Sequence, residues 1–255
     1  MRKVKNIAAA GMFLAGIAVS VGARAALSPM VLTITETQGP NIGQSDTYYG
    51  NTAGTLVVDS AAFPSPSNAD FVTNLELGSS DLSNGTNEAS LQVDYVNIAS
   101  TVAGPLTLKI SLTDSGFTFP GAVGSQLQLS SSAGATLVNY TTGDTLTFQS
   151  TASDSGGSVS TPLQTLVVPS SATATTLDLS APDVSSLFTR TDASYTLSSV
   201  ATLNFSQPFE QENFNGTTAT TLAPSSPIPE PSSAALLIPV AVLLTTRSRR
   251  NPAAS

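Results

Sequence analysis

The chain has 255 residues, with no Cys, His or Trp, and its 17 acidic and nine basic residues give a formal charge of −8. These absences exclude Ser-His-Asp and Cys-His nucleophile systems, the usual zinc and copper sites, thiol redox centres and any disulfide framework. What remains for catalysis is a carboxylate pair suited to glycoside cleavage, or a Ser-Lys dyad built on Lys109. The charge is unevenly placed. Between Ala26 and Pro229 lie 16 acidic residues and only two basic ones, Lys109 and Arg190, a formal charge of −14. A body this acidic repels phosphate backbones and anionic lipid, so nucleic acid is not an expected partner.

In chain order, Met1-Arg2-Lys3-Val4-Lys5 is a positively charged start, residues 7–21 are apolar and rich in Ala and Gly, and Ala23-Arg24-Ala25 has the small-x-small form that signal peptidase cuts. Residues 1–25 therefore read as a signal peptide cleaved after Ala25, and the chain is made for export. With no cysteines, the exported body has to be held by its core alone, and some 200 residues suffice for one.

From residue 26 the pattern is that of strands. Leu106, Leu108, Ile110 and Leu112 alternate with Thr107, Lys109, Ser111 and Thr113, the period of two of a half-buried strand. Comparable runs occur at 31–37, 55–59, 71–77, 91–98, 126–130, 135–140, 145–149, 163–168, 175–179 and 195–205. Clusters of Gly, Pro, Asn, Asp and Ser separate them as turns. Many short strands at fairly regular spacing predict an all-β domain over 26–212, an antiparallel β-sandwich of jelly-roll or Ig-like type. One short helical turn is expected at 180–188, where Pro182 and Asp183 suit a helix start and Val184, Leu187 and Phe188 fall at i, i+3 and i+4. Residues 213–228, made largely of Asn, Thr, Ser, Gly and Pro, read as a flexible linker.

Within the body few residues suggest a site. Tyr48 and Tyr49 stand in a turn-like stretch, and a loop-borne tyrosine pair is a candidate glycan contact, with packing on a sheet edge as the alternative. Tyr95, Tyr140 and Tyr195 are the other aromatic hydroxyls. Asp81, Asn84, Asn87 and Glu88 gather oxygen ligands of the kind calcium takes, but without EF-hand spacing, and the same residues are common in turns. Lys109 belongs on the solvated face of its strand. The abundant Ser and Thr suit a hydrated surface in contact with polysaccharide, or simply the outer faces of strands. No cofactor is expected.

The C-terminal end carries the most specific pattern: Pro229-Glu230-Pro231, an apolar run over 232–244, and Arg247, Arg249 and Arg250. Thirteen residues at about 1.5 Å each cover roughly 20 Å, short of a hydrocarbon core of about 30 Å, and Pro239 weakens the helix further. The positive-inside rule leaves the arginines, and the tail end at 251–255, in the cytoplasm. The run is a weak and temporary stop. This order of triplet, run and basic cluster over 229–250 resembles the PEP-CTERM sorting signal of surface and matrix proteins in Gram-negative-type bacteria. The resemblance implies processing near Pro229, Glu230 and Pro231 by an exosortase-like membrane enzyme, with Arg247, Arg249 and Arg250 as the basic end. It further implies transient anchoring in the inner membrane, then release to the cell surface or extracellular matrix among exopolysaccharide. The expected function is accordingly that of an exported, non-catalytic surface or matrix protein. The alternatives are a carbohydrate-binding module with a defined glycan site and a carboxylate-based glycoside hydrolase.

Overall fold

The computed structural model describes residues 30–50, 55–59, 62–63, 70–72, 75–81, 87–172 and 174–224. The expected signal peptide, with Ala23 and Ala25, and the sorting segment 229–250 lie outside the described residues. Two antiparallel sheets face each other. The first contains β1 (Val31–Gln38), β2 (Ser45–Tyr49), β8 (Leu106–Phe117), β10 (Thr145–Asp154), β11 (Gly157–Ser160), β12 (Gln164–Val167) and β15 (Tyr195–Phe205). The second contains β3 (Thr55–Asp59), β4 (Ala62–Phe63), β5 (Phe71–Val72), β6 (Leu75–Asp81), β7 (Glu88–Ser100), β9 (Gln126–Val138), β13 (Thr176–Ser180), β14 (Val184–Thr189) and β16 (Gln211–Leu222). The order in the first is β11-β10-β15-β8-β1-β2, and the second is built around β13-β9-β16-β7. An all-β sandwich is what the period-two runs predict.

Alternation fixes the core. Along β15 every second residue from Tyr195 to Phe205 is buried, and β8, β9 and β10 behave alike. The inward residues of both sheets merge into one apolar core. Aromatic rings join the sheets: Phe148 of β10 meets Phe214 of β16 with centroids 5.5 Å apart, and Phe205 of β15 meets Phe71 of β5 at 5.5 Å. Such tilted pairs add about 0.5–1.5 kcal/mol beyond their area. At Gly216 a Cβ would stand 2.7 Å from the Phe148 ring, so glycine is what admits that ring between the sheets.

Several polar groups inside the core are paired across the sheets. The Ser150 and Thr218 hydroxyls share a buried hydrogen bond of 2.6 Å. The Tyr195 hydroxyl donates to the Phe119 carbonyl at 2.6 Å and lies 2.6 Å from Thr220 Oγ1. Burial pushes that phenol up to about 12, so it remains a donor at any physiological pH.

Three expectations are corrected. Residues Val184–Thr189 form strand β14, paired with β9 from Val184↔Ser131 to Thr189↔Gln126, rather than a helical turn. Only Phe188 of the supposed apolar face is buried, while Leu187 is exposed. Residues 126–138, read as two strands, are one, because Ser131 to Gly134 continue the pairing with β16, opposite Thr218 to Asn215. Most consequential, the segment read as a linker from 213 is largely β16, which runs to Leu222 in the middle of its sheet between β7 and β9. The body therefore extends past 212, and the Ala223 amide is still tied to the Gln126 carbonyl at 3.0 Å.

Candidate binding groove

The central strands of the second sheet place a polar surface on its outer face. Pairing puts Asp94 of β7 opposite Asn215 of β16, Asn215 opposite Gly134 of β9, and Gly134 opposite Ser180 of β13. One row along, Asn213, Thr136 and Asp178 stand side by side, and on the other side Gln92, Thr217 and Ser132 do. The inward neighbours of these residues, such as Val93, Ala135 and Phe214, are buried, which leaves the polar set facing solvent. A shift in register between β16 and β7 at Glu212 and Phe214 marks a bulge beside the groove, and bulges bend strands and increase their twist.

Two depressions lie on this face, of about 460 Å³ and about 320 Å³, and both are lined by Gly134 and Asn215. Gly134 forms their floor. A Cβ there would lie 2.7 Å from Asn215 Oδ1, so any side chain would push Asn215 out of place. The groove groups are partly preset by one another: Thr136 Oγ1 donates to Asp178 Oδ1 at 2.7 Å, and Gln92 Nε2 donates to Asp94 Oδ2 at 2.8 Å. Carboxylates, amides and hydroxyls in register offer acceptors and donors to a ligand rich in hydroxyls.

The residues singled out in the sequence do not gather here. Tyr48 and Tyr49 are on edge strand β2, not in a loop. Alternation sends Tyr48 against the core and leaves Tyr49 69% exposed, so the two rings do not share a platform. Tyr195 is buried, and the Tyr140 hydroxyl is buried without a hydrogen bond. Of the candidate calcium loop, Asn84 lies outside the described residues, Asp81 ends β6 and Glu88 begins β7. Among the described residues no group of three acidic side chains is placed to hold a metal ion. Lys109 is exposed between Thr35 and Thr202 of the neighbouring strands, the solvated position its strand pattern predicts.

Sequence reasoning also missed a buried acidic end. Where β1, β7 and β9 end and β10 and β16 begin, Glu36, Asp70, Asp144, Glu210 and Glu212 are all buried. Some are well satisfied. Glu210 accepts from the Ser206 amide at 2.7 Å, the Gln207 amide at 3.1 Å and the Thr141 hydroxyl, and Asp144 accepts from the Ser206 hydroxyl at 2.5 Å. Glu212 is not: its Oε1 is buried without a donor, and burial, reinforced by the charge of Asp144, raises its pKa to about 8. It is therefore a neutral acid at pH 7.

No protein-family model matches this chain, and no curated protein matches it. Among solved structures it is similar to TmCBM27, a carbohydrate-binding module described for specific mannan recognition, at 11% identity over 66% of this chain and 99% of that one, with a TM-score of 0.25. It is also similar to the VP2 subviral particle protein of infectious bursal disease virus, at 10% identity over 90% of this chain and 70% of that one, with a TM-score of 0.16. At these TM-scores neither likeness bears on what this chain binds.

Proposed function

We propose that the chain is an exported, non-catalytic surface or matrix protein of a bacterium, whose sandwich holds extracellular polysaccharide along the groove of the second sheet. Its C-terminal segment is removed by an exosortase-like membrane enzyme. The observation that carries the binding role is the registered set Asp94, Asn215, Asp178, Thr136 and Asn213 around the bare floor at Gly134. The groove acids suit hydrogen bonding better than glycoside cleavage. Asp94 and Asp178 are separated by β16 and β9, about 14 Å of backbone at strand spacing, against about 5–9.5 Å for catalytic carboxylate pairs.

The fold also bears on processing. Strand β16 ends at Leu222, only seven residues before Pro229. Even fully extended, these span at most about 25 Å, so a folded body stays close to the membrane while its tail is cut.

Retention in native gels cast with soluble polysaccharide tests the groove. The Asp178→Ala, Asn215→Ala double variant is expected to lose retention about tenfold, as befits two hydrogen bonds of about 0.5–1.5 kcal/mol each, with its melting temperature unchanged. Equal retention of variant and parent would remove the groove from the account.

A further inference from the structure

We propose that Phe209 is a stacking platform for a sugar ring, at the rim where the groove's two floor strands, β9 and β16, run out. The inference rests on the polysaccharide reading of the groove and adds a contact to it. Phe209 is 66% exposed and has a φ of 65°, a conformation that bulky residues avoid and that glycine or asparagine adopts readily. A large apolar ring in solvent gains little from the fold to offset that strain.

The surrounding loop nevertheless holds the Phe209 backbone in place. The Phe209 amide donates to the Ser100 carbonyl at 2.9 Å, and Asn139 Nδ2 donates to the Phe209 carbonyl at 3.5 Å. On one side the buried Glu210 carboxylate gathers the Ser206 and Gln207 amides, and on the other Asn139 itself has a φ of 54°. Strain that the neighbours overdetermine, at an exposed residue, is the pattern of a ligand contact rather than of packing.

Position fits the same ligand. Phe209 stands two residues before β16 begins at Gln211, and Asn213 of the groove is the third residue of that strand. Exposed Gln207 and Asn139 flank it with amide groups that can bond the equatorial hydroxyls of a pyranose, while the apolar face of the sugar meets the phenyl ring.

The test uses the full-length chain in native gels containing mannan, β-1,3-glucan, alginate or the extracellular polysaccharide of the producing cells, together with thermal melts. Phe209→Gly should lose retention about tenfold in the gel that retards the parent, with a melting temperature equal to or above the parent's, because glycine adopts the same φ without strain. Phe209→Tyr, which keeps the ring, should retain the polysaccharide. Undiminished retention by Phe209→Gly in a gel where the Asp178→Ala, Asn215→Ala variant runs free would overturn the Phe209 proposal alone. A lower melting temperature in Phe209→Gly would also overturn it, by showing the ring to be structural. If none of the four gels retards the parent, the groove reading fails and this inference fails with it.

Discussion

Replacing Arg190 by alanine is expected to cost about 3–5 kcal/mol of stability, the range for removing a buried charged group that makes several hydrogen bonds. Arg190 is buried at the end of β14, and its guanidinium serves as a hub for backbone carbonyls. Nε donates to Asp192 at 2.9 Å, Nη1 donates to Thr118 at 2.6 Å and Gly121 at 2.7 Å, and Nη2 donates to Ala193. The same group lies 5.8 Å from the centroid of the Tyr195 ring. Alanine would leave these carbonyls without donors and open a void beside a core tyrosine. Lysine, a point charge without the planar fork, should recover only part of the loss. Urea unfolding monitored by tyrosine fluorescence would measure the change, and a loss below about 1 kcal/mol would contradict the hub role.

The second large effect concerns pH. Glu212 titrates near its ordinary 4.5 in the unfolded chain and near 8 in the folded one, because burial and the neighbouring Asp144 penalise its charge. Between those values the folded state holds one proton more than the unfolded state. Stability therefore falls as pH rises through that window, by about 1.4 kcal/mol per pH unit from this group alone. Below about pH 4.5 the group is protonated in both states and contributes no slope. Glu212→Gln, which keeps the neutral shape, should match the parent near pH 4.5 and exceed it by several kcal/mol at pH 8 and above. Glu36, Asp46, Asp114 and Glu210, also raised by burial, leave a slope of the same sign in the variant. Parallel stability profiles for the two proteins would show that Glu212 is not the buried neutral acid described here.

Why some elements are legible in the sequence and others are not follows from what fills the core. Strands β8 and β15 announce themselves because leucine, isoleucine and aromatic residues alternate with Ser and Thr. Strand β16 hides because its inward positions are Phe214, Gly216, Thr218 and Thr220. The rings of Phe148 and Tyr195 already occupy that space, and the two threonines are satisfied by Ser150 and Tyr195. Hydropathy reads such a stretch as spacer. Strand β14 misleads in the opposite sense: Val184, Leu187 and Phe188 copy a helical face by coincidence, while six consecutive pairings to β9 decide the matter. The groove has no local signature at all. Its residues come from four strands separated in sequence and meet only through register, and Gly134 matters for what it lacks. The acidic end was equally hidden, since scattered carboxylates look alike until folding buries them together.

Export and removal of the C-terminal segment are read from the intact mass of the protein recovered from cells and medium. The expected species begins at Ala26 and ends near Pro229-Glu230-Pro231, without Arg247, Arg249 and Arg250. A mature protein that still ends beyond Arg250, or that keeps residues 1–25, would contradict the account.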